Sequence, residues 1–323
     1  MDTNRWSFAL LMAVGTTLIG GNSQFAEATT LCVNPGKSDC FPTIGKAVAA
    51  ASAGDTIQVA PGTYVEGDIV IGIPLSLIGA NSANTIINAA GKGNGIYVDG
   101  LDHPGLSEVV VTGLTVQNAK FEGILVTNAS SVTISDNRVV SNDLALIPTP
   151  PPATCPGQPP FETNEEFDCG EGIHLSGVDH SAVINNLSEN NSGGILLSDD
   201  TGATHDNLIA GNAGDGDVPS TVPTGISLLG TSAVNRTVIT LNEFARESIN
   251  IAINNAGGLV DVHLNSLNGS SSDTGIANSG AGVVNAVQNW WGCAKGPGSS
   301  GCTSVSGSNV VSTPFLTSPP AAN

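Results

Sequence analysis

Asn137-Arg138-Val139-Val140-Ser141-Asn142 is the stretch that decides the fold. It sets an apolar residue two positions after one asparagine and a second asparagine three positions later. The phrase returns as Asn185–Leu187–Asn190 and Asn207–Ile209–Asn212, and more loosely from Asn242, Asn265 and Asn289, with Gly113–Thr115–Asn118 ahead of the series. Most copies are about 23 residues apart, and self-similarity on that period marks a solenoid.

Between the copies runs a second phrase: Gly95-Ile96, Gly123-Ile124, Gly172-Ile173, Gly194-Ile195, Gly225-Ile226 and Gly275-Ile276. Period-two alternation turns Ile173 and Leu175 inward and His174 and Ser176 outward. A third strand precedes each asparagine, as at Val132–Ile134. Three short strands per turn predict an all-β parallel β-helix of about ten coils. The asparagines are expected at its corners, where an amide that donates and accepts satisfies backbone groups left unpaired by the bend. Asparagine also tolerates the left-handed backbone such bends use.

Ahead of the coils, Arg5, the apolar run from Phe8 to Ile19 and Ala26-Glu27-Ala28 read as a secretory signal peptide over 1–28. Residues 29–54 are expected to form a cap with a short amphipathic helix. Its apolar face is Phe41, Ile44, Val48 and Ala51, with Pro42 in the first turn and Gly54 at the close. The β-helix then spans 55–316 and a C-terminal tail 317–323. No later segment is apolar and long enough to span a bilayer as a helix. The expectation is an exported, non-integral protein, secreted or held in the periplasm or at the surface of a bacterium, and monomeric.

The six cysteines agree with export. They fall into sequence-local pairs, Cys32 with Cys40, Cys155 with Cys169 and Cys293 with Cys302, which are expected as disulfides. Metal binding is the rival reading, but the pairs lack two-residue knuckles. Nine basic residues against twenty-eight acidic ones give a net charge of −19. That balance argues against nucleic acid and anionic membranes as partners, and is awkward for gripping polyanionic sugars.

These features together resemble the right-handed parallel β-helix proteins of the pectin-lyase-like superfamily, in particular their secreted bacterial repeat members. The resemblance rests on Thr43-Ile44 through Gly62-Thr63-Tyr64, on the repeated phrases, and on Asn289-Trp290-Trp291-Gly292 with Gly296-Pro297. It implies a right-handed helix and an interaction with polysaccharide or glycan. It is poor for activity, because the superfamily holds lyases, hydrolases, esterases, epimerases and proteins without known chemistry.

Two steps of the repeat are too long, which places insertions at 143–170 and 213–224. Both leave the same corner, two coils apart, so they are expected to flank a groove. Glu165, Glu166 and Asp168 in the first and Asp215 and Asp217 in the second make that groove acidic and suggest a Ca2+ site, since calcium takes six to eight oxygen ligands. Glu171, His180 and His205 are candidate substrate contacts. Asp179, Asp199 and Asp200, with His174, are candidate catalytic residues, the aspartates lying about one coil apart as paired carboxylates for glycoside hydrolysis. The arrangement is similar to that of polygalacturonase-type hydrolases. It departs from them in Gly-Val-Asp-His around Asp179 and in lacking a Gly-His-Gly or Arg-x-Lys phrase. A lyase needs a basic residue beside its metal, and neither insertion holds a lysine or arginine. Two readings therefore stand: a protein that binds or processes extracellular carbohydrate as a hydrolase or lyase, and a non-catalytic envelope or adhesive scaffold.

Overall fold

A computed structural model of the protein describes residues 28–144, 170–216, 224–230, 234–254 and 260–321. Its strands lie in three sheets of eleven, eight and nine strands (sheets 1, 2 and 3). One coil runs through Thr133–Ser135 in sheet 1, Arg138–Val140 in sheet 2 and Glu171–Ser176 in sheet 3, then returns to sheet 1 at Ala182–Ile184. Pairing between coils is parallel throughout these strands. The chain is the expected parallel β-helix, of about nine turns.

The core is built from columns of like residues. In sheet 1, Ile57, Leu77, Val111, Ile134, Val183, Ile209, Ile239 and Val262 stack in register, each with no exposed surface. β-branched side chains suit such a column because one rotamer serves every level.

The corner between sheets 1 and 2 holds a continuous asparagine ladder, one member per coil: Asn137, Asn186, Asn212, Asn242, Asn265 and Asn289. From Asn186 on, each Oδ1 accepts the backbone N–H of the asparagine one coil back at 2.9–3.0 Å, Asn137 Oδ1 accepts from Leu114 N, and the amide Nδ2 donates to a carbonyl inside the stack, as Asn242 does to Ile209. The repeat phase read from the sequence slips at two coils. Asn186, not Asn185, and Asn212, not Asn207, hold the ladder positions. Asn207 serves a different corner, where its Oδ1 accepts from Ser181 N and its Nδ2 donates to Val178 O. The left-handed backbone also sits one residue earlier than the ladder, at Asp136, Asn185, Gly211, Leu241, Leu264 and Gln288. The ladder asparagines are therefore there for their amides.

At the N-terminal end a helix, Ile44–Ala50, covers the first cross-section with Ile44 and Ala47 buried. Thr43 is its N-cap, which places Pro42 ahead of the helix, and Ala51 rather than Gly54 closes it. Glu66 accepts from the N–H groups of Ile44 and Gly45 at 2.8 and 3.0 Å, satisfying two free donors of the first turn. The cap region also contributes a strand, Thr30–Val33, to sheet 1. Disulfides Cys32–Cys40 and Cys293–Cys302 staple the two ends. The signal peptide and the Cys155–Cys169 pair fall, save Ala28, outside the described residues. Among the described residues no helix is long and apolar enough to cross a membrane.

Candidate functional site

Both insertions leave the turn from sheet 2 to sheet 3. The second is shorter than the repeat spacing suggests, because Ala213–Asp215 is a regular strand of sheet 2. Where the chain joins sheet 3 after the first insertion, Glu171 opens the strand Glu171–Ser176. Strict alternation would set Glu171 on the face opposite His174. It does not, because alternation resets at the glycine. A methyl on Gly172 would lie 2.6 Å from Val139 in the core, yet Ile173 is a core residue too. Register accordingly passes from the Glu171–Gly193 pair to the Ile173–Ile195 pair. Such a local irregularity re-aims the residues on either side of it.

Glu171 and His174 consequently meet Glu122 from the coil before. Each of the three offers a ligating atom, and these atoms lie within 4.8 Å of one another. Oε1 of Glu122 is 3.9 Å from Nδ1 of His174. All three are shut off from solvent, at 1 %, 1 % and 0 % exposure. Nε2 of His174 is 2.8 Å from Ser198 Oγ on the next coil, and Thr127, Ser176 and Ser198 form a buried hydroxyl row beside it. Gly193 lies flush against Glu171, where an added methyl would touch its Cγ at 3.6 Å. Asp143, at the start of the first insertion, backs onto Gly170, and burial pushes its carboxyl up to about 6. Two carboxylates and an imidazole in a dry pocket suit either proton transfer or a cation. Sequence reasoning missed Glu122. The signal was the Glu-Gly-Ile phrase shared by 122–124 and 171–173.

The other candidates gather elsewhere. Asp179 stacks on His205, not on Asp199 or Asp200, because the turn through Asp199–Thr204 lengthens that coil. Asp179 Oδ2 holds His180 Nδ1 at 2.5 Å, Asp206 Oδ2 holds His205 Nδ1 at 2.7 Å, and the two imidazole rings meet edge to face at 6.2 Å. Arg236 grips Asp206 with two bonds of 2.5 and 2.6 Å and holds its carboxyl far below the usual carboxylate range. This cluster is open to solvent. Asp199 lies instead against Gly230, and Asp200 keeps a buried Oδ2. Of the calcium candidates, Asp215 accepts from Arg246 at 2.7 Å, and Glu165, Glu166, Asp168 and Asp217 are outside the described residues.

The model of the family described as "Right handed beta helix region" matches residues 77–290, more than half of the chain. The chain belongs to that family. No curated sequence matches this β-helix protein. Among solved structures it is similar to pectate lyase Pel9A, at 16 % identity and a TM-score of 0.51 over 92 % of this chain and 82 % of that one. It is also similar to an alginate lyase from Paenibacillus sp. str. FPU-7, at 14 % identity and a TM-score of 0.48 over 87 % and 99 %. At such identity the likeness to Pel9A shows the fold alone.

Proposed function

We propose that this β-helix protein is exported and binds or processes extracellular carbohydrate, with its working centre at Glu122, Glu171 and His174 at the foot of the first insertion, beside the acidic groove expected between the two insertion-bearing turns. One observation carries the reading. Two carboxylates and an imidazole are buried on the outer side of sheet 3, where they add nothing to the apolar core. Burying such groups costs stability, so their presence speaks for chemistry. The disulfide-stapled ends fit an extracellular setting. Pel9A, of similar fold, is by its name a pectate lyase, which suits a polysaccharide substrate.

The test is a panel of neutral and acidic polysaccharides incubated with the purified protein, following binding, reducing ends and unsaturated products. Binding or turnover that disappears in Glu171→Gln and His174→Ala, with cooperative melting retained, supports the reading. Silence across the panel sinks it and favours the non-catalytic envelope or adhesive scaffold. The observation on the scaffold's side is that both carboxylates are closed to solvent.

A further inference from the structure

The same trio has the makings of a metal centre that neither the repeat nor the loops announced. We infer that Glu122, Glu171 and His174 bind one divalent transition-metal cation, of the Zn2+ or Mn2+ type, between adjacent coils of sheet 3.

Ligand chemistry comes first. The trio offers two carboxylate oxygens and one ring nitrogen, all within 4.8 Å of one another. Ligands around a tetrahedral zinc with bonds of about 2.0–2.2 Å stand roughly 3.3–3.6 Å apart, so side-chain closure of at most about 1.5 Å completes three positions. The 3.9 Å separation between Glu122 Oε1 and His174 Nδ1 is already close to that spacing.

Orientation comes second. His174 Nε2 lies 2.8 Å from Ser198 Oγ, while Nδ1 faces Glu122 Oε1 at 3.9 Å. A ligating histidine characteristically has its other ring nitrogen held by such an outer partner.

The third observation concerns an oxygen that the first two do not use. Oε2 of Glu122 has no hydrogen-bond partner among the described residues, although the side chain is only 1 % exposed. A buried carboxylate oxygen without a partner is costly, and a cation removes that cost while offsetting two like charges. The imidazole and the absence of open solvent select against calcium, which takes six to eight oxygen ligands and usually keeps water among them. The trio shares no residue with the calcium loop expected from the sequence.

The metal centre shares residues with the proposed carbohydrate site, but its test uses no sugar, so either reading can fail alone. Chelator-stripped full-length protein is titrated with ZnCl2, MnCl2 or CaCl2 by calorimetry, with bound metal counted by elemental analysis and melting followed in parallel. The expected result is one Zn2+ or Mn2+ per chain, a raised melting temperature, and no comparable response to Ca2+. Glu122→Gln and His174→Ala should abolish the binding. Ser198→Ala, which keeps all three ligands, should weaken it by about tenfold. Should either ligand variant fail to fold, the Ser198→Ala shift decides. Absence of stoichiometric Zn2+ or Mn2+ binding overturns the inference, as does binding that Glu122→Gln and Ser198→Ala leave unchanged.

Discussion

Nε2 of His174 and Oγ of Ser198 meet at 2.8 Å across neighbouring coils, and the histidine they position has no exposed surface. The hydroxyl thus does for the ring what backbone pairing does for the strand. Ser198→Ala removes that partner from a buried ring nitrogen. The expected loss of stability is about 1–2 kcal/mol, measurable by denaturant unfolding. A loss below about 0.5 kcal/mol would mean the ring is held by something else.

The ladder makes a sharper prediction. Oδ1 of Asn242 accepts from both the backbone N and the Nδ2 of Asn212, while its own Nδ2 donates to Ile209 O and Asn265 Oδ1. Asn242→Ala strands several buried groups and should cost about 3 kcal/mol or more. Asn185 is exposed and carries φ 55° beside the ladder, so Asn185→Ala should cost about 1 kcal/mol and Asn185→Gly almost nothing. Equal losses at the two positions would contradict the phase of the ladder.

That contrast also shows how far the sequence can be read. Periodicity reveals the β-helix, the end disulfides and the corner from which both insertions leave, because each is a statement about spacing. It fails where two asparagines adjoin, as at Asn185-Asn186, since only backbone bonds tell the corner residue from the ladder residue. It fails again at Gly172, where the reset of alternation puts Glu171 beside His174. It misplaced the partner of Asp179 because the turn before His205 is longer than the repeat allows. Burial of an outward residue such as His174 has no signature in a period-two pattern at all.

Asp143 should give a pH-dependent stability. Its carboxyl rises from 3.8 to about 6 through burial, so between those values the unfolded chain has ionised while the folded one keeps its proton. Stability therefore falls as pH rises through that window, and the full penalty stands above it. Asp143→Asn should match the wild type in stability near pH 3.5 and exceed it by about 2 kcal/mol at pH 7 in urea unfolding. The same difference at both pH values would refute the assignment.

Asp206 behaves in the opposite sense. The Arg236 guanidinium, with help from His205, holds its carboxyl far below the ordinary range. Its contribution is present above 3.8 and is lost only as pH falls through the depressed value. In a carbon-detected NMR titration Asp206 should stay ionised well below the ordinary carboxylate range, and Arg236→Ala should return it towards the ordinary value near 3.9. Because the pair is exposed, global stability should scarcely change. An unaltered titration in Arg236→Ala would rule out the guanidinium as the cause.

The central claim is that the buried trio, not the half-buried aspartates, is where this β-helix protein works. The most direct measurement is the affinity for the best oligosaccharide of the panel, compared between Glu171→Gln and the pair Asp179→Asn and Asp199→Asn. The account predicts a loss of tenfold or more in Glu171→Gln and near wild-type binding in both aspartate variants. Full binding in Glu171→Gln, with loss in Asp179→Asn or Asp199→Asn, would contradict it.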